Sequence, residues 1–377
     1  MGIEEKIYKD LRKHLNKQAV GYPSTLSGVE IKLLKRFFTP EEAKLAMYLT
    51  YKPAALETIL ESANEMRKPN NEIGDMLNEM TKNGVIGQRE KDGIHYYYNL
   101  PLAVGMYEGQ VNRLTPEFLK DFDKYSDGKI FGLEFISTEL PQMRTIPVKE
   151  SIPLDYHVMN YDHITDIIND TQGPIAVLEC ICRQRKSVLG DPCHQTKHME
   201  TCIQFGDAAK NVMKFNAGRE ISKEEALNII QKCESDGLIL QPSNSQEVEF
   251  VCACCGCCCG LMSVHKMLPK PAEFWATNHY ASVNSELCTE CGTCVDRCQV
   301  NAIKLDEHLH SSIINLDRCI GCGNCISKCP SEAIKLNKKD KEIIPPEDME
   351  NLYDIIMANK KGVFGKMKLA ARIMLKR

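Results

Sequence analysis

Apolar residues recur at helical spacing through the N-terminal part of the chain and then give way to a strand pattern. The segment NNEIGDMLNEMTKNG places Ile73, Leu77 and Met80 on one helical face, and Gly84 provides a stop signal. The next segment, VIGQREKDGIHYYYNLP, predicts a β-hairpin that turns at residues 91–93. The N-terminal region therefore consists of several helices followed by two paired strands.

This order of elements resembles a winged helix-turn-helix domain, which we expect at residues 1–115. Such domains often bind DNA, and phosphate contacts require Lys and Arg. The candidate recognition helix, residues 71–82, is instead acidic. Its charged residues are Glu72, Asp75, Glu79 and Lys82. Nucleic acid is therefore not the expected partner, and the domain is better suited to protein docking or to pairing in a homodimer.

Residues 116–170 predict a linker that carries no functional motif. The segment KIFGLEFIST has the pattern of a strand, and TELPQMRTIPVKESIPLDYHV is expected to be extended because of its prolines. Residues 171–283 predict a cysteine-rich α/β module. In it GPIAVLEC reads as a buried strand, and ISKEEALNIIQKCESDG as a helix with a capping box from Ser222 to Glu225.

Composition and charge narrow the class of protein. The 377 residues are 43% hydrophobic and 26% charged, which argues against bulk disorder and predicts several globular domains. The start of the chain lacks the apolar core of a signal peptide, and no apolar run reaches the length of a membrane span. We therefore expect a cytoplasmic protein, and in that reducing compartment its nineteen cysteines favour metal binding over disulfides.

Two cysteine runs follow one spacing. LCTECGTCVDRCQ and RCIGCGNCISKCP both read C-x2-C-x2-C-x3-C, and each precedes a short apolar strand, NAIKLD or EAIKLN. Residues 284–338 thereby resemble a bacterial 2[4Fe-4S] ferredoxin domain with the order βαββαβ. One position departs from the pattern, because Gln299 stands where the second run has Pro330.

The resemblance implies two [4Fe-4S] clusters with crossed ligands, since the last cysteine of each run begins a helix and binds the other cluster. The first cluster is expected to be held by Cys288, Cys291, Cys294 and Cys329. The second is expected to be held by Cys319, Cys322, Cys325 and Cys298. Zinc is the alternative metal for these thiolates.

A further ten cysteines crowd the middle module, six of them within CACCGCCC at residues 252–259. The ten are Cys180, Cys182, Cys193, Cys202, Cys252, Cys254, Cys255, Cys257, Cys258 and Cys259, of which the first four form a candidate quartet. Adjacent cysteines cannot all face one ion, so they serve separate sites or pack. One or two further iron–sulfur clusters are expected, with zinc or buried structural thiols as alternatives.

Several charged or metal-binding side chains lie near these cysteines in the sequence. Arg183, Arg185 and Lys186 could offset cluster charge, but are expected to form a solvated basic stretch. His194 and His198 are expected to be surface residues.

Residues 339–377 form a tail whose last eighteen residues include seven Lys or Arg and no acidic residue. An apolar helical face is predicted there from Phe364, Met367, Ala371, Met374 and Leu375. Such a helix either contacts an anionic membrane peripherally, at its inner face, or packs on the protein body.

The chain as a whole is an α+β, multidomain protein. It resembles a group of 4Fe-4S ferredoxin-type proteins of anaerobes that share the winged-helix-like start, a CxCR…CxCCxCCC module and a terminal dicluster domain. The resemblance implies electron transfer between a donor and a partner oxidoreductase. A redox-sensing regulator and an iron–sulfur enzyme with its site at CACCGCCC are the alternatives. No nucleotide-binding loop or nucleophile triad is evident, so redox partner proteins would carry out any chemistry on organic substrates.

Overall fold

The computed structural model describes residues 2–126, 129–153 and 158–375, which form helices and antiparallel sheets. The N-terminal region contains five helices and three strands within the described residues. The helices are α1 (Ile3–Asn16), α2 (Val29–Phe37), α3 (Pro40–Ala46), α4 (Leu56–Ser62) and α5 (Asn70–Lys82), and the strands are β1 (Ala54–Ala55), β2 (Ile86–Lys91) and β3 (Ile94–Asn99). The strands pair in the order β1-β3-β2.

The predicted helix and hairpin of this region are both present. Ile73, Leu77 and Met80 are buried on one face of α5. The hairpin turns at Asp92 and Gly93, whose φ angles of 54° and 76° match the left-handed conformation that tight hairpin turns require. The spacing of apolar positions and the turn residues therefore predicted this helix and this hairpin correctly.

Helices α6 (Pro116–Ser126) and α7 (Lys129–Ile136) follow, and α7 replaces the strand predicted for KIFGLEFIST. A short apolar run is ambiguous between strand and helix, and tertiary contacts decide. Here Phe131 is buried in the N-terminal core, and the buried Glu134 accepts a hydrogen bond from Gly21 N and pairs with Lys360. These contacts need both side chains on one helical face.

The proline-bearing segment is extended, as predicted, over its described residues, with one short 3-10 turn at Lys149–Ser151. It runs across the middle module, where Met143 bridges to Ser243 and Ile146 to Leu240. Residues 154–157 at its end lie outside the described residues. The segment therefore packs against the body as part of the structure.

The cysteine-rich module surrounds a five-stranded antiparallel sheet in the described chain, with the order β6-β4-β5-β8-β7. Its strands are β4 (Ile175–Glu179), β5 (Glu200–Phe205), β6 (Gly218–Ile221), β7 (Ile239–Pro242) and β8 (Phe250–Cys254). Its helices are α8 (Ile164–Asp170), α9 (Ile181–Val188), α10 (Gly206–Lys214), α11 (Lys223–Ser235) and α12 (Gly260–Met267). The predicted buried strand is β4, and the predicted helix is α11.

The capping box of α11 is half formed. Ser222 Oγ accepts from Glu225 N, as predicted, but the Glu225 carboxylate pairs with Arg219. The N-terminal cap therefore relies on Ser222 alone among the two predicted partners.

The C-terminal part contains β9 (His279–Val283), α13 (Thr293–Arg297), β10 (Ile303–Asp306), β11 (Ser311–Ile314) and β12 (Ile334–Lys338). Strands β9 and β12 pair, as do β10 and β11. The second helix of the predicted βαββαβ order is only a turn at residues 324–328, and Cys298 follows α13 instead of beginning a helix. Cys329 likewise follows its turn, so the expectation that each last cysteine begins a helix was wrong for both runs.

Helices α14 (Met349–Ala358) and α15 (Val363–Leu375) end the described chain. All five residues of the predicted apolar face are exposed, while the neighbouring Leu369 is buried. Lys366 pairs with Glu134, and Arg372 pairs with Glu273 at 3.3 Å. The tail thus docks on the body through its basic side; its last two residues lie outside the described part. None of the described helices combines the length and hydropathy needed to span a bilayer.

Titration of His265 is expected to weaken the fold in acid. The residue is fully buried in α12, where its Nε2 lies 3.1 Å from Arg318 O, and burial lowers its pKa from 6.5 to about 4. The unfolded chain therefore takes up the proton first, so the stabilisation is present above pH 6.5 and is lost as the pH falls towards 4. The free energy of unfolding should fall by about 3 kcal/mol as a result.

Thermal unfolding midpoints of the wild-type protein and His265→Gln, measured between pH 7 and pH 5, test this expectation. The variant cannot titrate in this range, so its midpoint should fall less steeply than that of the wild-type protein. Equal slopes for the two proteins would contradict it.

Candidate metal centres

The first ferredoxin-type loop contains cysteines that range from exposed to buried. Cys288 accepts a hydrogen bond from Ser312 N at 3.5 Å, and Cys294 lies 3.1 Å from Ser312 Oγ. The backbone N–H groups of Glu290 and Ser312 lower the pKa of Cys288. Cys291 is exposed, whereas Cys294 is buried. N–H donors aimed at sulfur stabilise thiolates, which is the form that binds iron.

The second loop is more enclosed. Burial raises the pKa of Cys319, and raises that of Cys322 to about 12. Cys325 is buried as well. Because burial favours the neutral thiol, thiolates at these positions require a positive partner such as a metal.

Cys298 lies beside the second loop, although it belongs to the first run. Its thiol accepts from Ala302 N at 3.1 Å. After burial, the charge of Cys298 is among the causes that raise the pKa values of Cys319 and Cys322. Cys329 packs in the same apolar cluster as five of the other ferredoxin-type cysteines, with its Sγ 3.7 Å from Ser331 Oγ.

The middle module does not form the quartet predicted from Cys180, Cys182, Cys193 and Cys202. Cys193 lies instead with three cysteines of the CACCGCCC segment, and the four sulfur atoms are all within 4.8 Å of one another. We call Cys193, Cys255, Cys257 and Cys258 the compact thiol group. The other three of the predicted four lie elsewhere: Cys180 and Cys182 lie beside Cys259, and Cys202 Sγ lies 3.9 Å from Cys252 Sγ.

The remaining six thiols follow one another in an extended group, defined as Cys180, Cys182, Cys259, Cys254, Cys252 and Cys202. The pKa values of successive members depend on each other through thiol–thiol contacts. The last two are 3.9 Å apart. Cys254 and Cys259 belong to the apolar cluster that also contains six of the eight ferredoxin-type cysteines. The extended group therefore borders the C-terminal domain.

Arg183 lies between the two thiol groups and is fully buried, so its assignment to a solvated basic stretch was wrong. Its guanidinium donates to Thr201 Oγ1 and, at 2.8 Å, to Ala253 O. Burial works against its charge, but thiols of both groups, led by Cys180 and Cys255, raise its pKa. Its Nε is buried without a hydrogen-bond partner among the described residues. A fully buried cation with a spare donor fits an anionic metal–thiolate site.

The other charged neighbours behave differently. Arg185 pairs with Asp123 at 2.7 Å, and Lys186 pairs with Asp191. The exposed His194 and His198 lie against carboxylates: Asp191 at 3.1 Å for His194, and Asp236 at 3.8 Å for His198. The surface position expected for both histidines is therefore confirmed.

Gln299, the residue that replaces proline, connects the module to the C-terminal domain. Its Oε1 accepts from Gly256 N at 2.9 Å, while Lys266 Nζ donates to Gly256 O at 2.8 Å. A Cβ at Gly256 would lie 2.4 Å from Gln299 O, so a side chain cannot be accommodated there without a shift. The sequence marked Gln299 as unusual, but its partner could be found only in the structure.

Comparisons with known proteins bear on the C-terminal part alone. Neither the curated proteins nor the solved structures contain a match to this chain. Residues 287–333 match the family model described as the 4Fe-4S dicluster domain.

Proposed function

We propose that the chain is an iron–sulfur electron-transfer protein that relays single electrons between a donor and a partner oxidoreductase. The observation that carries the proposal is the match of residues 287–333 to a 4Fe-4S dicluster domain that contains all eight spaced cysteines. When bound, [4Fe-4S] clusters accept and release one electron each.

The position of Cys298 supports the crossed assignment of ligands. The first site then comprises Cys288, Cys291, Cys294 and Cys329, and the second comprises Cys319, Cys322, Cys325 and Cys298. In the second site the chain supplies one buried and three partly buried sulfur ligands, and in the first it supplies N–H donors and the exposed Cys291.

The extended thiol group is proposed to hold a third iron–sulfur cluster, through Cys180, Cys182, Cys254 and Cys259. These four are partly or wholly buried, and Arg183 supplies a cation beside them. Two of them share an apolar cluster with six of the eight ferredoxin-type cysteines, which supports a short electron path between the sites.

The exposed edge of the first site is the proposed contact with a redox partner protein. Leu287, Leu305 and Leu309 are exposed around it, and Leu305 is the nearest side chain to Gly292. Exposed apolar side chains grouped on a protein surface commonly mark a docking site. Electrons would leave or enter where Cys291 meets solvent.

A redox-sensing regulator has less support. The winged-helix assignment is consistent with the helix and strand order of residues 2–99, but α10 of the middle module packs against both α5 and β2. Lys214 of α10 donates to Gln88 and, at 3.3 Å, to Asn78. Arg89 of the hairpin lies within 4 Å of Glu249 and Glu350. Part of the surface that would contact DNA, on α5 and the hairpin, thus packs against the rest of the chain, which argues against DNA binding.

Peripheral membrane contact is proposed for α15. Its exposed Phe364 and Leu375 lie on a helix in which basic residues outnumber acidic ones. A single helix of this kind binds anionic bilayers weakly.

Anaerobic metal analysis combined with EPR spectroscopy tests the main proposal. The purified protein should contain at least about eight iron and eight sulfide ions per chain, since each of two [4Fe-4S] clusters holds four of each. Dithionite should bleach its visible absorption and give EPR signals of reduced clusters. In Cys298→Ser we expect the second cluster to be lost and about four irons with it.

Cys233→Ser is the matched control, because Cys233 is buried in α11 outside both ferredoxin-type runs and both thiol groups. It should keep the iron, sulfide and EPR signals of the wild-type protein. The proposal fails if the wild-type protein contains no sulfide, or if its clusters do not respond to dithionite.

A further inference from the structure

The compact thiol group has the dimensions of a single metal site. Cys193 Sγ lies 3.7 Å from Cys255 Sγ and 3.6 Å from Cys257 Sγ. Cys257 Sγ lies 3.5 Å from Cys255 Sγ and 3.6 Å from Cys258 Sγ. Every pair is within 4.8 Å. Cysteines from one loop and one tight turn thus converge on a common point.

These distances match a tetrahedron around one ion. A Zn–S bond is about 2.3 Å, so the sulfur atoms of a tetrahedral four-thiolate site lie about 3.8 Å apart. In a [4Fe-4S] cluster each thiolate binds a different iron, so the sulfurs surround the whole cube and lie much further apart. The sulfur atoms of the compact group lie too close together to surround a cube. The sulfur atoms of the extended thiol group, by contrast, do not converge on one point.

The surroundings suit a bound cation. Cys255 and Cys258 are buried, and Cys193 and Cys257 are half-buried. Four thiolates carry more negative charge than one divalent ion neutralises. The buried Arg183 supplies further positive charge, because its guanidinium interacts electrostatically with Cys193 and Cys255 of this group.

We propose that Cys193, Cys255, Cys257 and Cys258 bind one Zn²⁺ ion in a closed tetrahedral site that is separate from the iron–sulfur centres. Tetrahedral four-thiolate sites accept zinc or a single iron, and zinc binds such donors more tightly than Fe²⁺ does. With four protein ligands the site has no open position, which is typical of structural zinc.

The ion has a structural consequence for the neighbouring domain. The turn it fixes contains Gly256, whose N–H donates to Gln299 and whose carbonyl accepts from Lys266. Zinc would therefore link the loop that contains Cys193 to the turn that contacts the dicluster domain. It would take no part in electron transfer.

Metal analysis of the full-length protein, purified without oxygen, tests the proposal. We expect about one zinc per chain, with X-ray absorption at the zinc edge reporting sulfur neighbours at about 2.3 Å and no neighbouring metal. Cys257→Ser should lose most of this zinc while it keeps the iron, the sulfide and the dithionite response. Cys233→Ser, a buried cysteine outside the group, should keep both metals.

Growth with cobalt gives a second readout that does not depend on the folding of a variant. Cobalt in the wild-type protein should show the absorption of tetrahedral thiolate coordination. Three results would overturn the proposal: no zinc in the wild-type protein, zinc content unchanged in Cys257→Ser, or loss of iron and sulfide in place of zinc in that variant.

Discussion

Arg183→Met is expected to destabilise the protein by about 3–5 kcal/mol, because it removes one partner of a buried charge pair and leaves the other uncompensated. Arg183 is fully buried and connects β5 to β8 through Thr201 and Ala253. Its charge also faces cysteines of both thiol groups. We therefore expect loss of metal from the middle module together with a lower unfolding midpoint, measured by thermal unfolding and metal analysis.

Arg185→Met provides the comparison within the same helix. Arg185 pairs with Asp123 near the surface, and such pairs contribute about 1 kcal/mol or less. Arg183→Lys should fall between the two, since it keeps the charge but loses the forked hydrogen bonds. If Arg183→Met and Arg185→Met have equal effects, the buried guanidinium does not act as the counter-charge of the thiolates.

Gly321→Ala is expected to lower the free energy of unfolding by about 3–5 kcal/mol, because it adds left-handed backbone strain and overpacking. Gly321 has a φ of 65°, and a Cβ there would lie 2.2 Å from His279 O in β9. Since β9 is paired with β12, the carbonyl cannot move without disturbing that pair. The distortion falls between Cys319 and Cys322, so iron should be lost from the second site.

Gly292→Ala is the matched control in the first loop. Its φ of 75° is similar, but the nearest atom to a Cβ is Leu305 Cδ1 at 4.0 Å. Gly292→Ala should therefore lower the free energy of unfolding by the backbone strain alone, about 1–2 kcal/mol, and the variant should retain its iron. Thermal unfolding and iron analysis of both variants separate the two effects, and equal losses would contradict the role assigned to the His279 contact.

The two loops also show how far the sequence could predict the site. The spacing of eight cysteines was enough to predict a dicluster domain, because it is a local feature of the chain. Glu290 and Gly321 occupy equivalent positions with φ angles of 54° and 65°. Only the packing of β9 explains why the second position lacks a side chain, and no local pattern contains that information.

The middle module was less predictable for the same reason. Ten cysteines indicated metal chemistry, but the grouping of Cys193 with the CACCGCCC turn depends on how β5 and β8 pair. The motif CxCR placed Arg183 beside Cys182, yet its full burial follows from the sheet that covers it. Similarly, KIFGLEFIST is a helix because Glu134 and Phe131 have distant partners.

The unequal enclosure of the two dicluster loops has a consequence for handling the protein in air. Cys291 meets solvent, whereas Cys325 is buried. Oxygen and peroxide reach exposed, thiolate-rich positions first. If the two proposed dicluster sites are loaded, oxidative bleaching should thus proceed in stages, and the cluster at the first loop should be lost before the cluster at the second loop.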